Sequence, residues 1–223
     1  MISILPAAGY ARRMKGIPKF LLPIDKNYKS LLEYHIENLL PFSKELIIPT
    51  RKDLLPIIKS LDYDFSNIIF MEVDTNTMNE TVSEVLKKFN YSQALIIMPD
   101  TYFSSGYPFL DIDNSNDRLC TLACWKIRNE QRGKLGEVKI ENGYVEKIID
   151  KDINTGFDYS WGSILFNKEF EKYIKAEDLH IGYSAATALE NGEKVGAYLM
   201  DGKYYDCGTP NEYIELLKEE VLY

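Results

Sequence analysis

The sequence is short of the residues that several common chemistries require. Only three cysteines occur in 223 residues, Cys120, Cys124 and Cys207. So low and odd a count excludes a disulfide framework and fits reduced thiols in the cytoplasm. Cys120 and Cys124 have neither a second pair nor a neighbouring histidine to complete a zinc site, so they read as buried strand thiols. The two histidines, His35 and His180, are isolated, and no carboxylate, serine or cysteine pairs with them in a triad pattern. A basic surplus is also lacking: 26 Lys and Arg stand against 34 Asp and Glu, a net charge of −8. That balance argues against nucleic acid as a partner. It leaves room for a small anion in a local cationic pocket.

No apolar run approaches the roughly 18 residues of a membrane span. The stretch Met1–Leu5 is too short for a signal-peptide core. The expectation is a cytoplasmic protein without a membrane partner, with self-association left open. Internal repeats, linkers and low-complexity tracts are missing, and 45% of the residues are hydrophobic, enough for a full core. One domain over residues 1–223 is expected, with residues 1–100 as a nucleotide-binding half and 101–223 as an acceptor-binding half. Neither G-x4-G-K-[ST] nor G-x-G-x-x-G occurs after a strand, which excludes a Walker A loop and the dinucleotide fingerprint.

What is present is an alternation of strand and helix in the first half. Strands are expected at Ile2–Leu5, Leu46–Ile48, Ile68–Val73 and Ala94–Met98. Helices are expected after the capping box Ser30/Glu33 to about Leu40, from Asp53 to Leu61, and after a second box, Thr77/Glu80, to Phe89. This pattern implies an α/β fold with a largely parallel sheet and helices on both faces. Beyond Asp100 the reading is richer in strand: Leu119–Ile127, a hairpin Glu137–Ile149 turning at Asn142-Gly143, Tyr159–Phe166 and Val195–Leu199. Helices are read from Asn167 to Ile174, over Ser184–Asn191, and after Thr209-Pro210-Asn211-Glu212. This half is read as a β-rich insertion on the same domain.

Three clusters carry chemistry. The first runs from Ala7-Ala8-Gly9-Tyr10-Ala11-Arg12-Arg13-Met14 to Pro18-Lys19. Small residues directly after a strand let backbone N–H groups approach a phosphate. Arg12, Arg13, Lys15 and Lys19 add four positive charges in an acidic protein, which calls for an anion. The second is Asp100, an acid at the end of the apolar strand Leu95–Met98, where it suits a hard cation better than it suits folding. The third is Tyr204-Tyr205-Asp206-Cys207-Gly208-Thr209-Pro210. An Asp111-x-Asp113 pair lies in an acidic, turn-rich stretch and is set aside.

These clusters, in this order, resemble the sugar-phosphate nucleotidyltransferase superfamily, whose members include thymidylyl-, uridylyl-, cytidylyl- and guanylyltransferases. The family opens with a strand, then [AG]-G-x-G-x-R-[LM], then P-K-x-L-[LV]-P. Here Leu5 precedes Ala8, Gly9, Arg13 and Met14, followed by Pro18, Lys19, Leu21, Leu22 and Pro23. Ala11 stands where the family has its second glycine. The third cluster is similar to W-x-D-x-G-T-P-x-x-[YF], with Tyr204 for Trp.

The resemblance implies a Rossmann-like, GT-A-like three-layer α/β/α fold around a mainly parallel mixed sheet. It also implies a Mg²⁺-dependent transfer of a nucleoside monophosphate from an NTP to a phosphorylated acceptor, a sugar 1-phosphate, with release of pyrophosphate. Arg13 and Lys19 would be catalytic, and Asp100 and Asp206 would hold Mg²⁺. The 7–13 loop, Lys19 and Thr81 would bind the nucleotide; Glu80 replaces a family glycine beside Thr81, so the base is not specified. Asp150-Lys151 stands for the family's E-K and Trp161-Gly162 for its A-G, which makes Gly136, Lys151, Trp161 and Gly162 the acceptor set. The A-A-G-x-x-x-R-M opening also resembles cytidylyltransferases that act on non-sugar acceptors. A glycosyltransferase and a non-catalytic nucleotide- or sugar-sensing module are the remaining alternatives.

Overall fold

A computed structural model describes residues 1–108 and 117–221; Asp111 and Asp113 lie outside the described residues. The first half delivers the alternation: β1 (Ile2–Ile4), α1 (Leu31–Leu39), β2 (Glu45–Thr50), α2 (Leu55–Lys59), β3 (Ile68–Glu72), α3 (Met78–Lys88) and β4 (Gln93–Ile97). The strands lie in the order β3-β2-β1-β4, all parallel. Alternation along each strand splits the core between the two faces of the sheet. Ala94 and Ile96 pack with Val82, Val85 and Leu86 of α3, whereas Leu95 and Ile97 pack with Leu32, Ile36 and Leu39 of α1. Every one of these ten side chains is buried, and each large aliphatic contributes about 1.5–3 kcal/mol.

The second half comprises β5 (Thr101–Phe103), β6 (Cys120–Lys126), β7 (Gly136–Glu141), β8 (Tyr144–Asp150), β9 (Tyr159–Asn167), α4 (Ile181–Glu190), β10 (Val195–Leu199), β11 (Tyr204–Asp206) and α5 (Pro210–Leu216). It extends the same sheet, in the order β4-β9-β6-β10-β8-β7. Strand β9 is antiparallel to both β4 and β6, and β10 is parallel to β6. Among the described residues, only β8 and β9 run against the common strand direction, so the sheet is mixed but mainly co-directional. β7 also pairs with the start of β9, so that β9, β6, β10, β8 and β7 close into a ring. The hairpin turns at Asn142 (φ 51°) and Gly143 (φ 79°), the two positive φ values a tight type I′ connection needs. No helix among the described residues is long and apolar enough to cross a membrane, and all three cysteines are buried and free.

Local caps differ from expectation in three places. Asn167 opens a 3-10 turn, Lys168–Tyr173, rather than an α-helix. Its side chain is engaged elsewhere, donating to the Arg118 carbonyl and accepting from Gln93. α4 starts at Ile181 instead of Ser184, because the His180 imidazole serves as the cap: its Nδ1 accepts from the Gly182 N–H at 3.2 Å. Thr77 does cap α3, but the Glu80 carboxylate reaches the Asn76 N–H, one residue before the cap. The two-stranded ladder β5–β11 lies apart from the main sheet, and in it Thr101 is opposite Asp206.

Candidate functional site

The chain leaves β1 through a loop whose carbonyls are tied down on one side. The Ala7 N–H donates to the Pro49 carbonyl at 2.9 Å, and the Ala7 carbonyl accepts from Thr50 Oγ1 at 3.1 Å. Arg51 Nη1 donates to the Ala8 carbonyl at 3.0 Å and to the Gly9 carbonyl at 2.7 Å. Among the described residues, the N–H groups of Ala8, Gly9, Tyr10 and Ala11 meet no protein acceptor. The Ala8, Gly9 and Tyr10 amides are thus free while the carbonyls of the same three peptides, those of Ala7, Ala8 and Gly9, are occupied, which is how a backbone binds an anion. Ala11 then turns into a 3-10 helix, Arg12–Met14, at φ 47° and ψ 38°. This is the left-handed conformation that a glycine adopts freely and that costs a residue with a Cβ about 1–2 kcal/mol.

The loop forms one wall of a cavity of about 280 Å³. The other walls are Lys19 and Phe20, the start of α3 with Thr77, Met78 and Thr81, and Met98-Pro99-Asp100 at the end of β4. Ala7, Ala8, Gly9, Tyr10, Ala11, Lys19 and Thr81 therefore share one cavity, at the carboxyl ends of the parallel strands where ligands of such sheets sit. Arg12 and Arg13 stand outside its lining and are exposed. The Thr81 hydroxyl is engaged with Thr75 Oγ1 and the Thr77 carbonyl.

Asp100 lines the far end of the cavity, and Asp206 stands beside it, outside the lining. Pairing of β11 with β5, together with a 2.9 Å bond from the Cys207 N–H to the Asp100 carbonyl, sets Asp206 beside Asp100. Lys19 Nζ lies 2.8 Å from Asp100 Oδ2. Asp206 Oδ1 accepts from the Gly208 N–H at 2.9 Å. Gly208 is the hub of this group. A Cβ there would fall 2.6 Å from Asp206 Oδ1 and 3.3 Å from both Arg13 Nη2 and Lys19 Nζ. Burial, then the charge of Asp100, push the Asp206 carboxyl above the usual carboxylate range, opposed by the Gly208 N–H, Lys19 and Arg13. The structure thus gathers Arg13, Lys19, Asp100 and Asp206 around one small space.

Sequence reasoning missed the partners of both histidines. His35 is fully buried beneath this group, with Nε2 2.9 Å from the Thr101 carbonyl and Nδ1 2.8 Å from the Tyr107 hydroxyl. Burial holds its pKa down at about 3. It is therefore neutral, donating from Nε2 to Thr101, the residue after Asp100, and accepting at Nδ1. His180 Nε2 lies 3.4 Å from Asp150 Oδ2, and burial lowers its pKa against the pull of Asp150. Arg51 was also missed, as was the bracket that fixes β11. In that bracket, Arg128 Nη2 reaches Glu212 Oε2 at 2.8 Å and Gln131 Nε2 reaches the Tyr204 carbonyl at 2.8 Å.

The expected acceptor residues lie outside the lining of the cavity. Trp161 is buried between Gly136 and Gly182, at positions where any side chain would collide with its ring. Gly162 leaves room for the Tyr204 ring. Lys151 is exposed, 3.6 Å from Asp150, which also faces His180 and the Tyr183 hydroxyl.

No protein-family model matches the chain, and no curated protein matches it by sequence. Solved structures do match over nearly its whole length. A UDP-glucose pyrophosphorylase from Acinetobacter baumannii superposes with a TM-score of 0.78 at 16% identity, covering 98% of this chain and 95% of the other. A protein described as a glucose-1-phosphate thymidylyltransferase from Bacillus anthracis gives 0.80 at 18% identity, over 97% and 93%. The inositol-1-phosphate CTP transferase from T. maritima gives 0.78 at 15% identity, over 99% and 97%. The chain has the fold these nucleotidyltransferases share.

Proposed function

We propose that the chain is a nucleotidyltransferase that moves a nucleoside monophosphate from an NTP to a sugar 1-phosphate with the help of Mg²⁺. One observation carries the reading: a loop of free amides shares a cavity with Lys19 and Asp100, and Asp206 stands beside Asp100. Donors suit a polyphosphate, and paired carboxylates suit the cation that accompanies it. The fit to Mg²⁺ is chemical. Asp100 and Asp206 offer hard oxygens, the Lys19 ammonium already lies against one of them, and no cluster of three or more metal-binding side chains occurs among the described residues. Two carboxylates completed by phosphate oxygens are the usual Mg²⁺ arrangement, rather than an all-protein cage. When bound, the ion supplies charge neutralisation at the reacting phosphate.

The free amides of residues 8–11 bind and orient the phosphates. An oxygen of the acceptor phosphate attacks the α-phosphorus in line, the bond from that phosphorus to the α,β-bridging oxygen breaks, and pyrophosphate leaves with the electron pair. Lys19 and Arg13 offset charge on the oxygens that gain it. No protein nucleophile is required, because positioning and charge neutralisation suffice. Loss of Lys19 or Asp206 then costs about 3–4 kcal/mol of transition-state stabilisation. A second reading keeps the chemistry and changes the acceptor. The likeness to an inositol-1-phosphate CTP transferase, together with an acceptor group outside the cavity lining, favours testing a cyclitol phosphate.

The test is pyrophosphate release from each of CTP, UTP, dTTP, GTP and ATP with Mg²⁺ and a panel of sugar 1-phosphates plus inositol 1-phosphate, comparing wild type with Asp206→Ala. Release that needs one NTP, one acceptor and Asp206 is expected. Nucleotide binding without release from any pair would remove the transferase reading in favour of a sensing role.

A further inference from the structure

The loop that meets the phosphates is held from behind by a residue outside the motifs. Arg51 follows β2, and its side chain is 14% exposed. Its guanidinium makes four hydrogen bonds. Nη1 donates to the Ala8 and Gly9 carbonyls, while Nε and Nη2 donate to the two oxygens of Asp53 at 2.9 and 3.0 Å. The Tyr10 ring covers the guanidinium, its centroid 4.2 Å from Cζ. Asp53 and Tyr10 thus fix the plane of the fork, and the fork fixes two carbonyls.

In a trans peptide the C=O and the following N–H point in opposite directions across one plane, and no peptide in the described chain is cis. Holding the Ala8 and Gly9 carbonyls against Arg51 therefore turns the N–H groups of Gly9 and Tyr10 away from it. Thr50 Oγ1 does the same for the Ala7 carbonyl and the Ala8 N–H. Three successive donors are set in one direction on residues that line the cavity. Without these bonds the glycine-containing segment is free to flip either peptide and present a carbonyl to the ligand. We infer that Arg51 is a positioning residue for the polyphosphate of the nucleotide: it never touches the ligand, and it acts by locking the Ala8 and Gly9 peptides with their donors turned inward. The inference rests on the reading of this cavity as a triphosphate site. It adds a determinant for that site from β2, outside the loop itself.

Inorganic tripolyphosphate with Mg²⁺ is the probe, titrated calorimetrically into wild type, Arg51→Met and Arg51→Lys, with thermal melting alongside. Steady-state kinetics use the NTP and acceptor that release pyrophosphate. For Arg51→Met the dissociation constant for tripolyphosphate rises about 10-fold, the size of a lost charged hydrogen bond. KM for the NTP rises in parallel, while kcat stays within about threefold, KM for the acceptor is unchanged and the melting temperature holds. Arg51→Lys recovers part of the affinity. Should Arg51→Met fail to fold, Arg51→Lys carries the same comparison, with a smaller loss expected. Equal tripolyphosphate affinity in wild type and the variants overturns the role of Arg51 alone. So does a loss spread equally over KM for the acceptor, kcat and the melting temperature. A wild type that binds no tripolyphosphate overturns the triphosphate site and this inference with it. Binding that responds to Arg51 in a protein with no transferase activity removes the transferase reading and leaves the positioning role standing.

Discussion

Replacing His35 by glutamine should change how the fold responds to acid. His35 is fully buried, and its pKa is held at about 3 against an ordinary value of 6.5. A folded value below the unfolded one means that the unfolded chain takes up the proton first. The contribution of His35 is therefore intact above about pH 6.5 and is lost as the pH falls toward 3. Between pH 7 and pH 5 the loss comes to about 2 kcal/mol, from roughly 1.4 kcal/mol per pH unit below the unfolded value. A glutamine can still donate to the Thr101 carbonyl and accept from Tyr107, but it does not titrate. His180 shifts in the same direction as His35, and Asp206 in the opposite one, since a raised carboxyl gains stability as the pH falls. Both are common to wild type and variant and drop out of the difference. Urea unfolding at the two pH values, without nucleotide or metal, should show wild type losing about 2 kcal/mol more than His35→Gln. In melting temperature that is about 4–8 °C for a chain of this size. If His35→Gln loses as much stability as wild type, His35 accepts a proton within the fold. The neutral donor assigned to Thr101, next to Asp100, would then be wrong.

Three further outcomes follow from the same geometry. Gly208→Ala places a methyl 2.6 Å from Asp206 Oδ1 and 3.3 Å from the cationic ends of Arg13 and Lys19. These are flexible tips, so melting should stay near wild type while kcat falls about 100-fold; an active enzyme would show that the four groups need not converge. Lys19→Met removes the ammonium that lies 2.8 Å from Asp100. Mn²⁺ binding without nucleotide, followed by electron paramagnetic resonance, should tighten about 10-fold as that competing charge goes, even though pyrophosphate release is lost; unchanged affinity would mean that Lys19 does not occupy the cation's place. Ala11→Gly relieves a left-handed residue at φ 47°. Against the greater freedom of glycine in the unfolded chain it should gain about 0.5–1 kcal/mol, read as a higher urea midpoint.

The first half of the fold was legible because its signals are local. Period-two alternation marks Leu95 and Ile97 against Ala94 and Ile96, and Ser30 with Glu33 closes a full capping box in front of α1. The missing glycine at position 11 was equally readable, and the structure places Ala11 at the positive φ that the substitution makes costly. What stayed hidden depends on contacts between distant segments. Thr101–Phe103 is three residues long and has no meaning as a strand until Tyr204–Asp206 lies beside it. The imidazole cap of α4 has no counterpart among the usual serine, threonine, aspartate and asparagine caps. Arg51 leaves no periodic trace, because its work is done by side-chain bonds to backbone 42 and 43 residues away. The only local hint was an Arg-x-Asp pair at the end of a strand.

The candidate centre is assembled by the smaller of the two sheets found among the described residues. The main sheet delivers Asp100 just after β4, but Asp206 arrives on β11, which among the described residues pairs only with β5. Bringing two carboxylates together in a partly dry space opposes folding, as the upward shift at Asp206 shows. The ladder therefore needs support, and the Arg128, Gln131 and Glu212 bracket supplies it by tying the Tyr204 carbonyl and the start of α5 to the 128–131 turn. Lys19 and Arg13 supply the remainder through their charge. The same two cations thus serve twice: in the free protein they offset the carboxylates, and in the proposed reaction they face the phosphates. A site built this way is held together by the charges it will use, so weakening either cation should loosen β11 as well as slow the chemistry. Hydrogen exchange at Tyr204–Asp206 in Lys19→Met, faster than in wild type, is the signature expected of that coupling; unchanged protection there would mean that the bracket alone holds the strand.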